Sequence, residues 1–408
     1  MALAAMGAPA AEKPSAWLLP NFPDRLEMQI ANPSAAAVDT VAVISVAQAA
    51  KVALGFPGTL AIAVIPGSPA QALPSQADDL DGDGVPDEFV FPVKLAAGAS
   101  TTIHIYYSTA LHDTLPWPKR VHASHAFGYN RATIALESEV IGYRSYGGFF
   151  LDVQGRRAGF PGLNNSLVGY FSAGTSPAAG RDVIHLGDTL GLGGLFLRSG
   201  NDLFRPSLNM PDYAHRPPAP EAPSYRVIAD GPVRAVVKAW MDRWTIGSDA
   251  VGIEALYFIS AGEEDVECRF RITPLTLTRA YETGAGIRQL PGMKQGPAAG
   301  RLALEGEQEK ATGRLGLALY YDPATVERTE PVNTPEAPSE GVVFKTRLEP
   351  GHAVGGRYWV AAAWSGSGIQ DLLGHLASVE RQARAAVVIS GYQHAKTPAP
   401  ERLEGEAY

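Results

Sequence analysis

The 43 glycines and 32 prolines of this chain break it into short runs, and that punctuation restricts the fold more than anything else in the sequence. A long amphipathic helix needs an unbroken 3.6-residue pattern, and most runs here end before one can develop. Within them the side chains alternate between apolar and polar or stay apolar, which reads as many strands and not as βαβ units. The spacing predicts strands over Val38–Val46, Leu60–Ile65, Glu88–Leu95, Thr101–Tyr107 and Ala132–Tyr146. It predicts others over Val183–Leu186, Gly194–Leu197, Val233–Trp244, Gly252–Ile259, Asp265–Ile272, Gly313–Tyr321 and Ala385–Ile389.

One helix stands out. In "SGIQDLLGHLASVERQARA", Ser367 and Gln370 have capping-box spacing, Ile369, Leu372, Leu373, Leu376 and Val379 share a face, and Arg381 and Arg384 suit the negative end of the dipole. It is expected to pack across a sheet. The fold class is therefore all-β with one C-terminal helix. The run "HDTLPWPKRVHA", His112 to Ala123, interrupts the strand rhythm and divides the chain into a small N-terminal β-sandwich over 15–115 and a larger antiparallel unit over 120–395.

A net charge of -8, from 42 acidic and 34 basic residues, argues against nucleic acid as a partner, because phosphate binding needs a concentrated basic face. No apolar run approaches the roughly 20 residues of a membrane helix. The first residues, "MALAAMGAPAAEKPSAW", carry an A-x-A-like cleavage pattern at Ala8-Pro9-Ala10, so export to the periplasm or medium is expected. The single cysteine, Cys268, shares a face with Val266, Phe270 and Ile272, which marks a buried thiol and not a nucleophile.

In "DDLDGDGVPDEF", Asp79, Asp81, Asp83, Asp87 and Glu88 offer oxygens at alternate positions around Gly84, the way a chain wraps a hard cation such as calcium. Pro86 departs from the EF-hand pattern, and an acidic hairpin without an ion has the same sequence. No organic cofactor is expected: "RDVIHLGDTLGLGGLFL" lacks the G-x-G-x-x-G order of a dinucleotide loop. Its glycines instead suit a close approach of ligand or backbone, with Asp182 and His185 beside them. Two proline-rich excursions, "RPSLNMPDYAHRPPAPEAPSY" and "ERTEPVNTPEAPSEG", are long enough to be functional loops, and the first carries Tyr213, His215 and Arg216.

The stretch "TIALESEVIGYRSYGG" alternates like a strand yet places Glu137, Glu139, Tyr143 and Arg144 where apolar residues belong. Read as one continuous strand, it points Glu137, Glu139, Ile141 and Tyr143 one way and Ser138, Val140, Arg144 and Tyr146 the other. Buried carboxylates need partners, so either the glutamates bridge to a basic residue such as Arg131 or the face lines a wet cleft.

These segments, with "DGPVRAVVKAW" and "TGAGIR" in the same order, resemble a bacterial exported family, Domain of Unknown Function 4861, over about residues 20 to 385. The matching positions are Glu137, Tyr143, Arg144, Tyr146 and Gly147, then Asp182, Gly187, Gly191 and Gly194, then Asp230, Gly231, Pro232, Arg234 and Gly284. The family often has a Tyr-His pair before Asp182, whereas "GYFSAGT" has Tyr170 and no histidine. The long strands are also similar to galactose-mutarotase-like supersandwiches.

The resemblance implies work on pectin-type, uronic-acid polysaccharides. Three functions fit. A lyase would use Arg144, Arg181 or Arg288 to neutralise the uronate, and Tyr143, His185, Tyr213 and His215 as base and acid. A glycoside hydrolase would use paired carboxylates, with Asp182 and Glu137 a better pair than Glu137 and Glu139. A glycan-binding accessory protein would present Trp240, Trp244, Trp359 and Trp364 as an aromatic platform. Of these the lyase is the expectation, with Glu139, Tyr146, Arg181, Asp182 and Arg288 as substrate contacts.

Overall fold

The structure, a computed structural model, describes residues 17–19, 21–110, 117–128, 131–158, 163, 180–206, 222–296, 298–307, 313–383 and 386–397. It is built from antiparallel strands. In the first unit a five-stranded sheet runs in the order Val388–Lys396, Asp24–Ala31, Ser100–Ser108, Leu60–Ile65 and Gln71–Leu73. It packs on a three-stranded sheet of Val38–Ser45, Glu88–Leu95 and Gln76–Asp78. Leu26, Ile30, Ile44, Phe89, Phe91, Ile105 and Tyr107 fill the space between.

The last strand of the chain thus belongs to the first sandwich: Val388–Lys396 lies against Asp24–Ala31, with Ile30 opposite Ile389. The unit expected over 120–395 runs past the point where the chain returns. The reason is an exposed edge, which Asp24–Ala31 would otherwise leave unpaired.

The second unit has two layers. One is an eight-stranded sheet whose centre is Arg234–Ile246, Asp249–Ser260, Asp265–Thr276 and Val354–Trp364. The other consists of two five-stranded sheets. The first runs Gly180–Asp182, Asp152–Arg156, Ile141–Tyr146, Arg131–Ser138, Val121–Gly128. The second runs Asp202–Phe204, Leu192–Ser199, Tyr281–Arg288, Ser339–Leu348, Val326–Val332. An isolated bridge, Leu151 to Leu192, joins the two. One core, with Leu136, Tyr143, Val153, Leu195, Ile253, Phe270, Leu317 and Tyr358, lies between the layers.

The helix spans Leu372–Ala383 and covers the outer face of the large sheet, burying Leu372, Leu376 and Val379 against Ala318, Ala361 and Trp359. It starts later than the capping-box spacing suggests. Gly368, at φ 90°, ends a short 3-10 turn, and Ser367 donates to the Arg156 carbonyl. Asp371 takes over as cap by accepting from Gly374 N–H at 2.9 Å. No described helix is long and apolar enough to cross a membrane.

Two further expectations change. In Val183–Leu186 the apolar side chains are buried but no strand forms, because side chains take up part of its backbone bonding: Asp182 accepts from Ile184 N–H at 3.3 Å and Thr189 donates to Leu186 O at 2.6 Å. Trp244, Trp359 and Trp364 are buried, so they build core and form no glycan platform. Cys268 is fully buried, and burial pushes its thiol up to about 12.

Candidate functional site

The stretch Thr133–Gly148 is a hairpin, not one strand. Arg131–Ser138 and Ile141–Tyr146 pair across a two-residue turn at Glu139 and Val140, with Glu137 opposite Gly142 and Leu136 opposite Tyr143. The turn exchanges the faces. Glu137 lies on the side of Arg144 and Tyr146, and Tyr143 lies with Leu136 and Val153 on the core side.

Tyr143 is therefore removed from the candidate chemistry. It is fully buried, its hydroxyl donates to the Glu264 carbonyl, and it accepts from Ala362 N–H at 3.1 Å. Burial holds its pKa well above the usual phenol value. Neither a base nor a proton shuttle can be made of it. It bolts the two layers together.

The opposite face is polar. Arg156 pairs with Glu137, and Arg144 with Asp152, all four within 5% of full burial. Arg144 also reaches Asp182 at 3.7 Å and lies 4.9 Å over the Tyr146 ring. A partner of Glu137 is thus Arg156, 19 residues further along the chain and not readable from spacing. Glu139 sits apart in the turn, bound to Arg120 and accepting from Gly262 N–H at 2.9 Å. Glu137 and Glu139 are not a catalytic pair.

From Asp182 the chain runs to His185, whose side chain is 42% exposed. Its Nε2 lies 2.6 Å from Glu336 Oε1, and the other oxygen of Glu336 accepts from Asp188 N–H at 2.8 Å. Burial alone would raise the Glu336 pKa. The Asp188 N–H, His185 and the charge of Arg288 outweigh it, and the carboxyl titrates below its usual range. Gly187 makes room: at φ +55° it adopts a conformation that favours glycine, and a Cβ there would fall 2.3 Å from the Glu336 carboxyl. With the carboxylate accepting from Nε2–H, the tautomer leaves Nδ1 as the acceptor, the arrangement of an oriented general base.

Glu336 is the residue that sequence reasoning missed. It lies in the proline-rich excursion "ERTEPVNTPEAPSEG", whose length was the available signal. Arg288 is buried near Glu336, and Arg181 is half-buried on the His185 segment. Tyr213, His215, Arg216 and Tyr170 lie outside the described residues.

The acidic loop divides. Asp79, Asp81 and Asp87 bring ligand oxygens within 4.8 Å of one another, an all-oxygen set that suits a hard cation. The Gly84 N–H, outweighing what desolvation there is, lowers the Asp79 pKa. Asp83 and Glu88 stand outside that set, Glu88 being bound to Arg234 and Arg269.

Similarity to solved structures supports the architecture. The chain superposes on an alpha-mannosidase from Enterococcus faecalis V583 with a TM-score of 0.51 and 8% identity, over 90% of this chain and 46% of that one. A protein in the Glycosyl Hydrolase Family 38 from Enterococcus faecalis gives 0.52 and 8%, over 92% and 48%. The chain spans under half the length of either, and at such identity the likeness speaks for the fold alone. No curated protein sequence matches the chain. The sequence family described as a domain of unknown function, DUF4861, matches residues 30–386, and the protein belongs to that family.

Proposed function

We propose that this protein is a carbohydrate-active enzyme that cleaves a uronic-acid-containing polysaccharide or oligosaccharide by β-elimination at the His185–Glu336 dyad. The observation that carries the reading is an exposed imidazole held by a carboxylate at 2.6 Å, with a buried arginine charge behind it. His185 Nδ1 removes the proton at C5 of the uronate. The electron pair forms the C4–C5 double bond, the C4–O4 bond breaks, and the departing oxygen takes a proton. Charge that builds on the uronate carboxylate is met by arginine, with Arg288 and Arg181 as the candidates. The acid for the leaving oxygen is assigned to Tyr213 or His215, as the sequence suggests.

Hydrolysis is the second reading. The names of the two structural neighbours favour it, as does the gathering of Glu137, Asp152 and Asp182 on one face. Against it, Glu137 and Asp152 are locked to arginines in buried pairs. Incubation with a panel of uronate polysaccharides separates the two. Elimination gives new reducing ends together with ultraviolet absorbance of the unsaturated sugar. New ends without absorbance would establish hydrolysis, and neither signal on any glycan would remove the enzymatic reading.

A further inference from the structure

The turn that joins strands Asp249–Ser260 and Asp265–Thr276 opens a run of acids: Glu263, Glu264, Asp265 and Glu267. Two of them have ionic partners. Glu264 holds His375 Nε2 at 2.6 Å, and Glu267 holds Arg269 at 2.6 Å and Arg357 at 3.1 Å. Glu263 and Asp265 make no ion pair among the described residues, although Asp265 is only 4% exposed. Both line a cavity of about 790 Å³ between the two β units, and both also border a second of about 550 Å³. The larger volume falls within the roughly 300–1,000 Å³ of small-molecule sites, which favour domain junctions.

The surroundings narrow the ligand. A metal would need a third ligand, and no third His, Cys, Asp or Glu atom converges on this pair among the described residues. An anion is disfavoured by the two acids themselves and because three basic groups in the wall are engaged, Arg120 with Glu139, Lys94 with Asp39 and His375 with Glu264, while Arg381 stands exposed. Burial raises both carboxyls, Glu263 to about 7 against the Ser260 hydrogen bond and with repulsion added by Asp39 and Glu267, and Asp265 with repulsion from Glu263, so the pair keeps a proton and offers a cation little charge. A protonated carboxyl beside its neighbour both donates and accepts. Leu73, Val93 and Val233 give the same cavity an apolar wall. Hydroxyls on one side and C–H faces on the other describe a sugar.

We infer that this cavity between the units is a second ligand site, which takes an uncharged polyhydroxylated ligand, a neutral sugar, with Glu263 and Asp265 hydrogen-bonding its hydroxyls. Neither His185 nor Glu336 lines it, so the site stands independently of the proposed reaction.

Calorimetric titration of the full chain with maltotriose, mannotriose, galactotriose and trigalacturonate tests this. At least one neutral trisaccharide binds, one per chain. Asp265→Ala weakens it by about tenfold or more, the loss of one to two hydrogen bonds. Asp265→Asn, which keeps a donor and an acceptor, stays within about threefold. Ser378→Phe fills the cavity from the helix surface and abolishes binding, and this variant decides the matter should Asp265→Ala fail to fold. His185→Ala binds as the parent does. Absence of binding by every neutral trisaccharide overturns the inference. So does binding that His185→Ala removes and Ser378→Phe leaves intact.

Discussion

Arg234 Nε donates to Asp78 Oδ2 at 2.7 Å, a buried ion pair that joins the second β unit to the first. The same guanidinium reaches Glu88 at 2.6 Å, and Gln76 Oε1 accepts from the Val233 and Arg234 N–H groups at 3.1 Å each. Gly231 is required there, since a Cβ would fall 2.2 Å from Gln76 Oε1. Two motifs of the family resemblance, the acidic loop and "DGPVR", are thus the two halves of one junction. Breaking a buried pair leaves a charge without compensation. Arg234→Ala therefore lowers stability by about 3–5 kcal/mol. Denaturant unfolding measures it, and a change below about 1 kcal/mol would show the junction to be dispensable.

Tyr143→Phe leaves activity on the responsive glycan unchanged while lowering stability by about 1–3 kcal/mol, because the Ala362 N–H and the Glu264 carbonyl lose their buried partner. Turnover and melting temperature, read on the same preparation, check it. A large fall in turnover with an unchanged melting curve would return Tyr143 to the site.

The fate of Tyr143 shows what the sequence could convey. Alternation fixed most strands, and the polar character of the 133–148 stretch was legible as an anomaly. Which face each residue occupies was not, because a two-residue turn at Glu139-Val140 inverts the parity of everything after it. Exposed His185 was found from its place beside Asp182, but Glu336 is 151 residues away in the chain and only the fold brings them together. The return of Val388–Lys396 to the first sandwich is likewise a long-range pairing with no local signature.

His185→Ala removes the proposed base and lowers kcat by about 10²–10⁴-fold with little change in stability, its side chain being exposed. Glu336→Gln keeps shape but loses the charge that orients the imidazole, and its loss should be smaller. It should also shift the acid limb of the pH–rate profile, a change that a merely structural carboxylate would not produce. Equal activity of parent and His185→Ala would remove the dyad from the mechanism.

The acids of the junction give stability two opposed dependences on pH. Burial alone would raise Glu88, but Arg234 and Arg269 outweigh it and depress the pKa below 4.5. Its contribution is present above the unfolded value and disappears as pH falls through the folded one. Glu263 behaves in the reverse sense. Its pKa rises from 4.5 to about 7, so the folded chain binds the proton more tightly, and stability falls as pH climbs between those values. The raised Asp265 carboxyl extends the decline upward. The penalty from Glu263 reaches at most about 3 kcal/mol at neutral pH. Glu263→Gln removes it, so unfolding followed from pH 5 to pH 8 flattens in the variant relative to the parent. Parallel curves across that range would mean that the carboxyl is solvated and the pair is not held apart from water.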